Sequence, residues 1–264
     1  MSLVKLSGNA SGTGALTIAA PNTNTDYTLT LPTQTGILVS GTTTAGVVVP
    51  AGTATLAAVL LNSGTNLTSA TAGAIEYDGK VVYGTPLGTQ RGIVPTQQYY
   101  RLNADFVGSN ALGAQSMFGV GVTLSASTVY EFELVFGISK SAGTTSHNFG
   151  YNFGGTATLN NIGFIVLGAS QSSGFGPLSA AANMIGQWST TAANTNVVSG
   201  ITSAAFYHLA TIKGTVSVNA GGTFIPNYQC SAAPGGAYTT SLGSYIRINP
   251  LSASGAATNV GTWA

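Results

Sequence analysis

The chain has 264 residues, of which 5% are Asp, Glu, Lys or Arg and 44% are hydrophobic, and its formal net charge is +1. A soluble domain usually carries about 25% charged residues, and a disordered chain combines few apolar residues with high net charge. This composition therefore excludes disorder, and seven basic and six acidic residues, well scattered, leave no footprint for nucleic acid or an anionic membrane. The chain can bury apolar surface but has little ionic surface, so much of its exterior is expected to lie against copies of itself or against other proteins.

The longest purely apolar stretch, Ala57-Ala58-Val59-Leu60-Leu61, is far short of the roughly 18 residues a membrane helix requires. The start, Met1-Ser2-Leu3-Val4-Lys5-Leu6-Ser7-Gly8, turns polar at once and lacks the apolar core of a signal peptide. Export is expected by another route, such as release of a finished particle by lysis.

In chain order, residues 10–32 are small and hydroxylated, with short alternations at Leu16/Ile18 and Tyr27/Leu29/Leu31. Residues 41–46, Gly-Thr-Thr-Thr-Ala-Gly, read as a joint. Residues 74–83 give a hairpin signal: Asp78-Gly79 suits a type I′ turn, with Tyr77 facing Lys80 and Ile75 facing Val82. Such a hairpin is marginal alone, and three copies around an axis would bury its apolar face.

From residue 98 onward the pattern is β, with Val, Ile, Thr, Tyr and Phe in short runs cut by Gly, Asn, Ser and Pro. Strands are expected near 99–107, 147–153, 162–169, 206–218, 223–230 and 244–250. Phe118, Val120, Val122 and Leu124 alternate with Gly119 and Gly121 opposite. The clearest period places Tyr130, Phe132, Leu134, Phe136 and Ile138 on one face, and Val129, Glu131, Glu133 and Val135 on the other. Residues 178–188, rich in alanine, read as a helix or a long loop. Asn219-Ala220-Gly221-Gly222 reads as a hairpin loop whose glycines take positive φ. Strands at this spacing predict an all-β fold with an antiparallel sandwich, or jelly roll, over 98–264.

Chemistry is sparse. Glu131 and Glu133 share a face two residues apart, about 6.6 Å on a strand, a spacing at which paired carboxylates act on glycosidic bonds. The alternative is a polar strand face with Lys140, or an arginine of another chain, nearby. His147 and His208 lie far apart and fall short of a metal signature. His208 reads as a satisfied strand residue, and His147 as the start of a strand or, alternatively, a ring of histidines on a trimer axis. A single cysteine, Cys230, excludes an intrachain disulfide and reads as an inert packed thiol. No Gly-x-Ser-x-Gly elbow occurs, and Gly12-Thr13-Gly14 and Gly154-Gly155 lack the ending of a phosphate loop. Asn9-Ala10-Ser11 and Asn66-Leu67-Thr68 fit a glycosylation triplet that arises by chance in such a chain. Tyr99, Tyr100, Tyr151, Phe153, Phe175, Trp188, Tyr238 and Trp263 are candidates either for stacking on sugar rings or for core packing. No catalytic, cofactor-binding, metal or receptor-binding residue is assigned.

Residues 9–24, Asn-Ala-Ser-Gly-Thr-Gly-Ala-Leu-Thr-Ile-Ala-Ala-Pro-Asn-Thr-Asn, followed by Tyr27-Thr28-Leu29-Thr30-Leu31-Pro32, resemble a segment common in tail-fibre and virion proteins of tailed bacteriophages. Leu60-Leu61-Asn62-Ser63-Gly64-Thr65-Asn66-Leu67-Thr68 and Ala72-Gly73-Ala74-Ile75-Glu76-Tyr77-Asp78-Gly79 look like a shaft module of the same proteins. Residues 213–226 with Gly243-Ser244-Tyr245-Ile246-Arg247-Ile248-Asn249-Pro250 are similar to the closing strands of phage fibre heads. The three patches cover about half of the chain. The resemblance implies a homotrimer with an N-terminal virion-attachment region at 1–48, a β-hairpin shaft or linker at 49–97 and a jelly-roll head at 98–264. It implies as partners the chain itself, another virion protein and a host surface glycan or protein, on the tail or the capsid of the particle. It implies no enzyme and no cofactor, and it carries over no functional residue. Specificity is expected in distal loops near 108–117, 142–147, 170–190 and 231–242. A head fibre decorating the capsid is the near alternative; a polysaccharide depolymerase and a bacterial adhesin are weaker ones.

Overall fold

The computed structural model of the chain describes residues 49, 51–88, 90–253 and 259–261. The readings at 1–48 and Trp263 lie outside these residues. Leu60–Ala264 form one compact unit, and Met1–Val59 fall in another.

In the larger unit, β1 (Ile75–Tyr77), β2 (Val82–Leu87) and β3 (Gln90–Ile93) form a small antiparallel sheet. β4 (Gln98–Arg101), β5 (Phe106–Val107), β6 (Gly113–Ser116) and β7 (Val122–Leu124) are short, whereas β8 (Thr128–Lys140), β9 (His147–Gly154) and β10 (Thr158–Gln171) are long. β11 (Asn183–Ser189), β12 (Thr195–Ile201), β13 (Phe206–Ala220), β14 (Gly222–Cys230), β15 (Thr239–Thr240) and β16 (Tyr245–Ser252) complete the set. Among the described residues there is no helix.

The fold is an all-β antiparallel sandwich. Its large sheet runs β11-β10-β13-β8, and the far edge of β8 is shared end to end by β16 and β15, which β4 and β5 continue. The smaller sheet runs β12-β9-β14-β6, with β7 also paired to β14. Between β8 and β15 the chain changes sheet at every connection except the β10–β11 hairpin. Each long strand therefore has a partner from a distant part of the sequence, and the two inner faces close over one core.

Alternation supplies that core. Tyr130, Phe132, Leu134, Phe136 and Ile138 of β8 all point inward and are buried, as are Phe149, Tyr151 and Phe153 of β9. Phe153 stacks on Phe224 at 4.9 Å, and the Phe132 ring meets Phe153 at 5.1 Å. Burying each such side chain contributes about 1.5–3 kcal/mol, and an aromatic pair adds about 0.5–1.5 kcal/mol.

Several sequence readings need correction. The 74–83 hairpin pairs Tyr77 with Val82 and Ile75 with Gly84, so its loop is four residues long. The cause is the Asp78 carboxylate: Oδ1 accepts from the Lys80 and Val81 amides at 2.9 and 2.8 Å, and Oδ2 accepts from Tyr83 OH at 3.0 Å. An Asx turn replaces the two-residue type I′ turn. Lys80 instead leaves the hairpin and donates to Ala126 O and Ser127 O at 2.5 and 3.1 Å, tying the small sheet to the sandwich.

The segment Asn219–Gly222 is not a hairpin loop, because β13 and β14 belong to different sheets. Its glycines have ordinary φ; they are needed because neighbouring backbone leaves no room for a Cβ. Residues 178–188 are neither helix nor loop throughout: Ala180 and Ala181 form a turn, and 183–189 pair as β11 along the open edge of β10. The alternation around Phe118 yields a strand only at 122–124, since Gly119 takes φ +70° and turns the chain. Within the expected loop 108–117, β6 pairs with β14.

Candidate functional site

Directly opposed residues of antiparallel strands point to the same face, so the register reads out the outer surface of the large sheet. One row crosses six strands: Trp188, Ile165, Lys213, Glu133, Arg247 and Tyr99. At its centre Glu133 receives Lys213 Nζ at 2.6 Å and Arg247 Nε at 3.0 Å, and it accepts from Tyr245 OH at 3.0 Å. Burial by itself would raise this carboxyl, but the bonds from Lys213, Tyr245 and Arg247 outweigh it and hold the group below the ordinary carboxylate range. An ion-paired carboxylate of this kind is a poor proton donor. In the adjacent row Thr215, Glu131 and Asn249 lie side by side, with Asn249 Nδ2 donating to Glu131 Oε1 at 3.5 Å. The two glutamates thus share a cleft of about 400 Å³ with Gln97, Lys213 and Arg247. The basic partners of Glu133 come from β13 and β16; Lys140 lies elsewhere, at the end of β8.

On the other side of the ionic row the face turns apolar. Leu167, Thr211 and Val135 form the next row, and Met184, Ala169, Leu209 and Gly137 the one beyond. All of these but Met184 floor an open hollow of about 750 Å³ walled by Phe175, Leu178 and Leu242. The wall is fixed by the buried Gln171, whose amide donates to Gly174 O at 2.7 Å and accepts from the Ser179 amide at 3.0 Å. Leu167, Leu178, Leu209 and Leu242 are exposed, and Trp188 and Met184 are 63% and 73% exposed.

The smaller sheet presents a different exterior. Asn148, Asn152, Asn227 and Gln229 point away from the core, with Asn152 Nδ2 donating to Gln229 Oε1 at 2.6 Å. One outer face carries amides; the other carries an ionic row with exposed leucine, methionine and tryptophan beside it.

The remaining candidates divide between buried and exposed positions. Both histidines are buried. His147 lies 2.7 Å from Tyr238 OH through Nε2 and 2.7 Å from Thr145 O through Nδ1, and burial lowers its pKa. His208 is only half satisfied: Nδ1 meets Ala169 O at 3.1 Å, while Nε2 has no partner among Phe136, Phe149, Tyr151 and Phe206. Burial pushes its pKa down to about 4. The Cys230 thiol is buried and pushed up to about 11, in keeping with inert packing. Of the eight aromatic candidates, Tyr151, Phe153 and Tyr238 belong to the core, and Tyr99, Tyr100, Phe175 and Trp188 remain exposed. Lys140, which the sequence offered as a neighbour of the two glutamates, is instead buried at the end of β8 with Nζ on the carbonyls of Gly143 at 2.8 Å and Ser203 at 2.6 Å. An alternating strand ending in lysine was the available signal.

Among the described residues no group of three or more His, Cys, Asp or Glu side chains is placed to hold a metal ion, and no helix is long and apolar enough to cross a membrane. No family model, curated protein or solved structure matches the chain.

Proposed function

We propose that the chain is a structural protein of a bacteriophage virion, a homotrimeric tail fibre or spike whose C-terminal head contacts the host surface. The observation that carries this reading is a sandwich with an apolar sheet face left open, in a chain with 5% charged residues. An exposed patch of this kind marks an interaction surface, and the three fibre-like patches of sequence supply the kind of assembly. Residues 1–48 attach the fibre to a neighbouring virion protein, and 98–264 form the head. Attachment works by multivalency: several weak sites on one particle reach high effective concentration at the host surface. The ion-paired Glu133 speaks for a scaffold over glycosidic-bond cleavage.

The near alternative is a head fibre that decorates the capsid. An antibody against residues 98–264, applied to purified particles of the phage that encodes the chain, separates the two. Label at the tail supports the fibre, label on capsomers supports decoration, and unlabelled particles overturn both. Reducing sugar released from host polysaccharide by the purified protein would replace this reading with a depolymerase.

A further inference from the structure

We infer that the outer face of the large sheet is the surface through which copies of this chain pack together, three such faces closing around a common axis. The inference rests on the homotrimeric reading above and names the face that makes the trimer. The two sides of the sandwich are chemically unequal. The outward amides of Asn152 and Gln229 are half-buried and bonded to each other, whereas Leu167, Leu209, Met184 and Trp188 stand exposed.

The size is of the order of one partner's share of an interface. Six strands about 4.8 Å apart, over eight residue steps of about 3.3 Å along β10, outline roughly 600 Å² before side-chain relief is counted. A standard interface takes about 800 Å² from each partner.

The charges also fit a second copy. Glu131, Glu133, Lys213 and Arg247 sum to zero in the central rows. Glu133 uses its oxygens within its own chain, but among the described residues Glu131 has only the 3.5 Å contact from Asn249. Among the described residues Lys213 meets one acceptor and is exposed, so it has further N–H groups to donate. An under-used carboxylate and an under-used ammonium in adjacent rows make the face complementary to itself: Lys213 of one copy can reach Glu131 of the next. Such a head-to-tail contact repeats, and it closes as a ring of three when the rotation between copies is a third of a turn.

The test uses the full chain and light scattering. The wild type and Asn148→Asp, which adds a charge to the amide face, are expected at three times 26.4 kDa. Leu209→Glu, which puts a charge in the apolar rows, is expected to run at 26.4 kDa with its β circular dichroism retained. A trimeric, folded Leu209→Glu overturns this face while leaving the homotrimer standing. A monomeric wild type removes the homotrimer itself. If Leu209→Glu does not fold, Leu209→Cys decides, because Cys230 is buried and does not compete for label. Maleimide labelling of that cysteine in the trimer at least tenfold slower than of Asn196→Cys is the expected result. Equal rates at the two positions contradict the inference.

Discussion

His208 sits where a phenylalanine would serve the core as well, ringed by aromatic side chains and bonded through one nitrogen only. The folded protein holds it neutral, with a pKa of about 4 against an ordinary 6.5. Between those values the unfolded chain binds more protons, so the stabilising contribution is complete above pH 6.5 and is lost as pH falls toward 4. The expected loss is about 3 kcal/mol, measured as a fall in the urea midpoint across that range. His147, lowered by burial too, acts in the same direction. A His208→Leu variant should show a distinctly flatter profile, and an unchanged profile would mean that the titration lies elsewhere. At this scale the sequence was readable where a residue's burial follows from strand alternation, as at Tyr130, Phe132 and Cys230. It misjudged Lys140, offered as a neighbour of the glutamates, and His208, read as satisfied, because both environments depend on segments brought together from far along the chain.

For elements, the long strands were legible and the connections were not. β8, β9, β10, β13, β14 and β16 carry period-two alternation or unbroken β-formers, and these survive in any antiparallel context. β11 shows the limit: its alanine-flanked segment has only Ile185 and Trp188 as strand formers, and it pairs along the open edge of β10. The β1–β2 hairpin shifted by two residues because one side chain, Asp78, satisfied the turn amides in place of the backbone. The β13–β14 connection is the most constrained of these features. A Cβ at Gly222 would stand 2.6 Å from the Ala157 amide nitrogen and 2.7 Å from the Thr156 carbonyl carbon. Gly222→Ala is therefore expected to destabilise the protein by about 1–3 kcal/mol in urea unfolding. Gly64→Ala, where a Cβ meets nothing within 4 Å, is expected to change the midpoint little. Equal effects at the two positions would show that the sheet crossing is not sterically fixed.

For the whole molecule, low charge and unequal faces point the same way. A sandwich can fill its own core from alternating strands, and this one does, with aromatic rings packed between the sheets. Among the described residues, that closure leaves the exterior of the large sheet without a covering element, and its charges are gathered in the central rows beside exposed apolar ones. The ionic row at Glu133 was foreseeable only as a pair of carboxylates; the basic partners come from β13 and β16, 80 and 114 residues further on, a juxtaposition only the register reveals. What alternation could not say was which face would be left open, since that depends on loop 172–182 standing up as a wall around the hollow. The decisive measurement is the mass of the purified wild-type chain by light scattering. Three times 26.4 kDa, held on dilution into the nanomolar range, is the predicted value. A stable, soluble species of 26.4 kDa would contradict the account.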